Sequence, residues 1–392
     1  MLKSSISTYM WPGQVQLGFG AAERVGQEAR ALQASHVFVI ADLGVIAAGL
    51  LEPVVASLKA AGLSYLVYDQ VVPNPDAASV DAATGIFRES KADLIVGVGG
   101  GSSLDTAKAI RLAAGGGGQI AEYALLLGDQ VRQPGRLMVP MIAIPTTAGT
   151  GSEVTPWGVI TDHERKLKMG IGGPFLIPTI ALIDPGLMLT LPPHLTAATG
   201  LDALSHCIEA YVSTHNNPLL DPLILHGIEL IGRSLRIAVT QGSNQAARYD
   251  MAQAALIGGI AITSNWLGAC HSLAHQLSSF ADVQHGVANA LMLPHQMAYS
   301  LMGALERYAR IGRTLGAPDA PHETVRRRAE RAVETLQELI IDIGLPTRLR
   351  EVGVSEDIIP AMAKNAYIDL NWTTNPRRVS EAVMEQLYRQ AF

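Results

Sequence analysis

Residues 93–112 read DLIVGVGGGSSLDTAKAIRL, and this stretch decides the fold of the N-terminal half. Asp93–Val98 is an apolar run without polar alternation, as expected of a parallel strand buried on both faces. It ends in Gly99-Gly100-Gly101-Ser102, and Leu104–Leu112 follows with helical character. Strand, glycine turn and helix in that order let backbone N–H groups and a helix N-terminus face an anion. Glycine suits the turn because a side chain would block the approach of a pyrophosphate. The run is not G-x-G-x-x-G, so by itself it reads either as a phosphate site or as a structural turn. Asp105 and Lys108 fall in the first turns of the helix. Asp105 either orients the loop or is a surface acid favoured near a helix N-terminus.

Outward from this stretch the pattern repeats. His36–Ala41 (HVFVIA), Ser64–Tyr68 (SYLVY) and 137–144 are further strand-length apolar runs, and Gly49–Ala61 and Ser79–Ser90 have helical periodicity. The alternation predicts an open, mainly parallel α/β sheet. After about residue 191 strand signals nearly vanish. Leu195–Thr214, Leu219–Thr240, Asn244–Trp266, Pro294–Leu315, His322–Ile343 and Glu356–Tyr367 all read as helices. The expected division is therefore an α/β domain over residues 1–190 and an all-α domain over 191–392, parted at Leu191–Pro193, where consecutive prolines interrupt any element. Gly115–Gly118 reads as a loop rather than a phosphate cradle.

Composition narrows the class. Of 392 residues, 48% are hydrophobic and 16% charged, which excludes a disordered chain. The formal net charge of −6 offers no basic field for nucleic acid. The basic run Arg326–Arg328 with Arg331 is interleaved with Glu330 and Glu334 and reads as a solvated helix face. Two cysteines, Cys207 and Cys270, exclude a disulfide scaffold. The first residues, MLKSSISTYMWPG, lack the apolar region of a signal peptide, and a cytoplasmic location is expected. Met251–Cys270 carries no charge and is long enough to span a bilayer, but its polar residues and glycines favour a buried core helix.

Two polar clusters bear on chemistry in the first half. Pro145–Thr155 reads PTTAGTGSEVT directly after a buried strand, where open α/β sheets bind ligands; the alternative is a turn that caps the next helix. Asp42 follows the His36–Ala41 strand. An acid there accepts hydrogen bonds from a ribose and repels a 2′-phosphate, so a dinucleotide site would favour NAD over NADP; otherwise Asp42 simply caps a loop.

The second half supplies the sharper constellation. In Gly200–Ala210 (GLDALSHCIEA), Asp202 and His206 are four residues apart and share a helix face. His271 and His275 repeat the spacing in HSLAH, and His285-Gly286 follows ten residues after His275. One carboxylate and three imidazoles make an N₃O site for Fe²⁺ or Zn²⁺ with room for a substrate oxygen. The alternative is a set of unrelated core histidines. Cys207 and Cys270 adjoin proposed ligands but point elsewhere on their helices and read as packing. His163, His215 and His226 read as surface or capping residues.

In combination these motifs resemble the iron-containing (group III) alcohol dehydrogenases, the family of lactaldehyde reductase and 1,3-propanediol dehydrogenase. The residues that carry the resemblance run over essentially the whole chain: Gly99–Ser102 with Asp105 and Lys108, Pro145–Thr155, Asp184-Pro185, Gly200–Ala210, His271–His275 and His285–Ala290. The resemblance implies a dinucleotide-binding α/β domain, an all-α domain and a site in the cleft between them. It implies one divalent metal, Fe²⁺ with Zn²⁺ as the alternative, on Asp202, His206, His271 and His285. His275 would stand near substrate and nicotinamide. For NAD it implies Asp42, Asn74, Gly99, Gly100, Gly101, Ser102, Asp105, Thr146, Thr147, Thr150, Ser152, Thr155, Lys168 and Leu187. Trp157, Ile262 and Trp266 fall at variable pocket positions, and their bulk suggests a small or apolar substrate. The expected reaction is hydride transfer between NAD(H) and a small primary alcohol or aldehyde, with His275 as proton relay, in a homodimer or larger homo-oligomer. A polyol- or glycerol-type dehydrogenase of the same superfamily, a metallohydrolase and a non-catalytic binding protein are the alternatives.

Overall fold

The computed structural model describes residues 9–125, 131, 132, 134, 138–163, 167–318 and 322–392. Six strands form one all-parallel sheet: β1 (Gln14–Leu17), β2 (His36–Ala41), β3 (Ser64–Tyr68), β4 (Leu94–Gly99), β5 (Met141–Pro145) and, after a hairpin, β8 (Ile180–Ile183). The order across the sheet is β1-β8-β5-β4-β2-β3. The hairpin of β6 (Trp157–Asp162) and β7 (Leu167–Gly172) is antiparallel and separate. The three central strands explain the unalternated apolar runs. Phe38, Ile40 and Ile95 enter the core on one face, and Val37, Val39, Leu94, Val96 and Val98 enter the core on the other. Successive strand side chains alternate sides, so a strand covered on both must be apolar throughout.

Register decides where function falls. Ala41 pairs with Val98 and Gly99 with Pro145, so β2, β4 and β5 end level. The chain leaves them as Asp42, the Gly100–Ser102 turn and Thr146–Thr155, all at one edge.

The helical half is built around Pro193–Val212. Between Thr196 and Val212 only Thr199 escapes burial. This helix packs on Asp221–Thr240, Gln245–Asn265 and His285–Ser300. Its core merges with that of β8 through Ala181 and Ile183, which joins the halves.

Several expectations are revised. Strands β1 and β8 and the hairpin lacked a recognised pattern; β1 and β8 have only four residues each. Strand β5 starts at Met141, and Leu137 lies outside the described residues, as do Met1–Thr8. Gly115 and Gly116 close the Gly101–Gly116 helix, and only Gly117 and Gly118 lie beyond it. Pro294–Leu315 is not one helix: Pro294 sits inside His285–Ser300, and Leu305–Leu315 is separate. Between them a Cβ at Gly303 would lie 2.5 Å from the Pro376 carbonyl oxygen, a backbone approach that fixes the break. Met251–Cys270 is likewise two helices, because Trp266 takes φ 63° and ends the first. Among the described residues no helix is long and apolar enough to cross a membrane. Ala269–Ala281 is the helix that the His271/His275 spacing implied, and Glu381–Ala391 was not anticipated.

The halves meet through backbone contact as well as side chains. A Cβ at Gly259 would lie 2.7 Å from Val154 Cγ2 and 2.8 Å from the Gly151 carbonyl oxygen. Gly259→Ala therefore overpacks the junction of the β5 loop and the helix Gln245–Asn265. Thermal and urea unfolding should record a loss of about 1–3 kcal/mol; unchanged stability would mean that the junction yields freely.

Candidate active site and metal centre

The cavity between the halves has a volume of about 1220 Å³ and is lined from both. Its sheet side starts at Asp42. Asp42 Oδ1 accepts from Val45 N at 3.0 Å, and Oδ2 accepts from Ser103 Oγ at 2.9 Å. The carboxylate thus caps the helix Leu43–Ala47, ties down the glycine turn and still borders the cavity. The helix after the turn begins at Gly101, not Leu104, so the glycine run itself forms the N-terminus. First-turn N–H groups have no partner inside a helix and are free for an anion. Gly99 has φ 145°, which favours glycine, and a Cβ at Gly101 would lie 2.8 Å from Thr150 Cγ2. Gly99 shapes the turn but does not line the cavity; Gly100, Gly101 and Ser102 do.

Asp105 is no surface acid. Its Oδ1 accepts from Ser152 Oγ at 2.6 Å and its Oδ2 from Val159 N at 2.9 Å. Lys108, fully buried, donates to Ser152 Oγ at 2.8 Å, Thr155 Oγ1 at 3.0 Å and the Trp157 carbonyl at 2.6 Å. Burial pushes Lys108 down to about 8 against the pull of Asp105 and Glu153. Ser152 and Thr155 border the cavity, yet their hydroxyls also serve Lys108. Thr146, Thr147, Thr150 and Leu187 line it as well. At the mouth, Lys168 Nζ donates to Asn74 Oδ1 at 2.9 Å, and Asn74 Nδ2 donates to Asp282 Oδ1 at 3.3 Å. Burial pushes Lys168 down to about 8, against Asp105, Asp282 and Asp202.

On the helical side, Asp202 Oδ1 lies 3.6 Å from His206 Nε2, 3.7 Å from His271 Nε2 and 3.5 Å from His285 Nε2. Single ligand atoms of Asp202, His271 and His285 lie within 4.8 Å of one another; His206 adjoins that set through Asp202. The His206 and His271 rings stack at 4.8 Å between centroids. Burial resists ionisation of Asp202, but His206, His285 and His271 outweigh it and hold the carboxyl below its usual range. Burial pushes His206 down to about 4 and His285 well below the ordinary imidazole value, in each case against Asp202. Neutral imidazoles at His206 and His285 offer the lone pair that a metal needs, whereas at His271 burial is outweighed by Glu209 and Asp202, which hold it up at about 9.

His275 enters the same cavity, with its ring 5.3 Å from that of His285. Its Nδ1 is 2.7 Å from Asp369 Oδ2. Trp157, Ile262 and Trp266 line the cavity too, and the two indoles meet at 5.5 Å. Cys207 and Cys270 are buried free thiols, and burial pushes Cys207 up to about 12. His163 and His215 are exposed, and His226 is half-buried beside Glu229.

Three functional neighbours were missed. Glu209 is buried, its Oε2 touches His271 Nδ1, and its Oε1 accepts from Cys270 N at 2.8 Å. It stands seven residues after Asp202 on the same helix face, a spacing that could have disclosed it. The Asn289 amide donates to Asp202 Oδ1 at 2.8 Å and lies 3.4 Å from His271 Nε2 and 3.3 Å from His285 Nε2. It follows His285 by four residues. Asp369 had no local signal, being 94 residues from His275.

Comparison with known proteins agrees with this arrangement. Residues 12–185 match the iron-containing alcohol dehydrogenase family, and residues 196–392 match its C-terminal part. The chain is 39% identical over 386 residues to the 1,3-propanediol dehydrogenase of Klebsiella pneumoniae, covering 98% of each. It is 37% identical over 386 residues to the NAD-dependent methanol dehydrogenase of Bacillus methanolicus, covering 98% of this chain and all of that one. A solved 1,3-propanediol oxidoreductase superposes with a TM-score of 0.94 at 38% identity, covering 99% of this chain and 100% of that one. The chain belongs to the iron-containing alcohol dehydrogenase family. It is an NAD-dependent alcohol dehydrogenase, and the hydrolase alternative falls.

The Lys108 cluster yields a pH prediction. A buried lysine whose pKa falls from 10.5 to about 8 binds its proton less well folded than unfolded. Its contribution to stability is present above 10.5 and is lost as the pH falls through about 8. Lys108→Met leaves Asp105 and three acceptors without their cation and should cost about 3–5 kcal/mol at neutral pH. The stability gap to wild type should widen between pH 8 and 10.5. A gap that narrows in denaturant titrations over that window would contradict the assignment.

Proposed function

We propose that the chain interconverts small primary alcohols and their aldehydes with NAD(H) and one divalent metal, in a cleft between an α/β unit (1–190) and a helical unit (191–392). The observation that carries this reading is the meeting of Asp202 Oδ1 with three imidazole Nε2 atoms at 3.5–3.7 Å, in the cavity that the Gly101 helix N-terminus also faces. Four bonds of about 2.1 Å to a tetrahedral ion place ligand atoms about 3.4 Å apart, which the three distances from Asp202 Oδ1 approach. Asp202, His206, His271 and His285 would hold it, with Fe²⁺ first and Zn²⁺ as the alternative. Bound there, such an ion lowers the pKa of a hydroxyl group and polarises a carbonyl.

The chain's own groups do the rest. Glu209 orients His271, as a carboxylate on the far nitrogen fixes a ligand ring. The Gly100–Ser102 backbone takes the pyrophosphate of NAD, which supplies or receives the hydride. Gly99 gives that turn its shape. Thr146, Thr147 and Thr150 border the same edge, while Asp105, Ser152 and Thr155 brace it through Lys108. Asp42 faces the adenosine ribose and excludes a 2′-phosphate. Asn74 and Lys168 flank the nicotinamide end, and Leu187 gives apolar cover. His275 moves the proton through Nε2. Trp157, Ile262 and Trp266 close the substrate end, so short or apolar alcohols fit. We also propose a cytoplasmic location, which the two free thiols suit, and a homodimer or larger homo-oligomer.

The test is NADH oxidation with a panel of short aldehydes after anaerobic purification, chelation and reloading with Fe²⁺ or Zn²⁺. Turnover should vanish on stripping, return with metal and be lost in His271→Ala. Glu209→Gln should weaken metal affinity about 10–100-fold. NADH binding without turnover under either metal would overturn the substrate reading.

A further inference from the structure

Asp369 follows the helix Ile359–Ile368 and opens the turn Leu370–Thr374. It is far from His275 in sequence and lines the same cavity. Its Oδ1 is saturated by donors: Asn371 N at 2.8 Å, Asn371 Nδ2 at 2.8 Å and Ser272 Oγ at 3.2 Å. Its Oδ2 faces His275 Nδ1 at 2.7 Å. Burial opposes ionisation of Asp369, but His275 and these donors outweigh it, so the group is a carboxylate. A carboxylate only accepts. The proton between the pair therefore sits on His275 Nδ1, which leaves Nε2 as the nitrogen that can accept a proton from substrate. Among the described residues no protein group bonds that Nε2. One tautomer and one ring orientation are thus set from behind, by a group on a different element.

We infer that Asp369 is a positioning residue for the reaction: it locks His275 in the Nδ1–H form with Nε2 presented to the substrate. This rests on the reading of His275 as proton relay. The arrangement makes an unusual demand. In Asp369→Asn the carbonyl oxygen must take the place of Oδ1, because the Asn371 and Ser272 donors require an acceptor there. The amide N–H₂ then faces His275 Nδ1, takes its lone pair and drives the proton to Nε2. Asparagine, the closest isostere, imposes the wrong tautomer. Asp369→Ala imposes none and leaves the ring free to find the right one.

The experiment compares kcat and KM for alcohol oxidation with NAD, the direction in which Nε2 accepts the hydroxyl proton, in wild type, Asp369→Asn, Asp369→Ala, His275→Ala and the double variant Asp369→Asn/His275→Ala, at equal metal content. The expected result is a kcat loss of about 10²-fold or more for Asp369→Asn, within the range of proton-transfer assistance. Asp369→Ala should lose less, and KM for NAD should hold in both. Added to His275→Ala, Asp369→Asn should cost nothing further, since the two act as a unit. If Asp369→Asn is milder than Asp369→Ala, or its loss adds to that of His275→Ala, Asp369 is structural and the inference fails while the relay stands. If His275→Ala keeps wild-type kcat, the relay reading itself fails, and the inference fails with it.

Discussion

The structure turns on one buried charge. Asp202 sits among three imidazoles, and Glu209, buried behind His271, adds a second carboxylate. An isolated ionised carboxylate in such surroundings costs far more than packing repays. The site is therefore stable only as a set, with a positive charge or charge-assisted hydrogen bonds shared among its members. This explains why the helix Pro193–Val212 is buried almost throughout: its polar face has no route to water and must be satisfied by neighbouring helices. It also explains the Asn289 amide, whose donors reach Asp202 and approach two imidazole nitrogens. Removing one partner leaves the others unpaired, so damage at any ligand spreads to the whole set.

The sheet side meets the same constraint in another way. Lys108 is a cation with no exposed surface, pinned by two hydroxyls and a carbonyl and balanced by Asp105. Asp105 in turn reaches the hairpin backbone at Val159. The turn after β4, the loop after β5 and the start of β6 are thereby held by one buried ionic knot. Three loops that would otherwise move separately become a fixed rim for the cavity. Asp42 adds the end of β2 to that rim through Ser103. The backbone groups that face a phosphate thus come from a braced frame rather than from glycine flexibility.

How much was legible follows from how local each signal is. The central strands were readable because burial on both faces leaves only apolar residues, and β1 and β8 were not because four residues carry no pattern. Asp202 with His206, and His271 with His275, were readable from i, i+4 spacing. His285 was drawn to them only by its place ten residues after His275, and the family resemblance supplied which imidazoles would be the ligands. Glu209 and Asn289 lay inside quoted motifs, one helix period from recognised ligands, and were overlooked. Asp369 could not be found this way, since its partner lies on another helix and only the packing of Ile359–Ile368 against Ala269–Ala281 brings them together. The broken helices at Ser300 and Trp266 were unreadable for a similar reason: tertiary contact, not propensity, ends them.

The two ends of the cavity differ in kind. At the deep end, the ligand set and the Lys108 knot exchange hydrogen bonds in a dry interior, where each is electrostatically strong and costly to lose. At the mouth, Asn74 and Asp282 both adopt left-handed backbone, φ 51° and 50°, and meet through a 3.3 Å hydrogen bond, with Asp282 exposed. Left-handed conformation costs such residues of order 1 kcal/mol each, and an exposed polar contact returns about as much. The link that bridges the halves there is therefore marginal, while the ligand set and the Lys108 cluster are heavily over-determined.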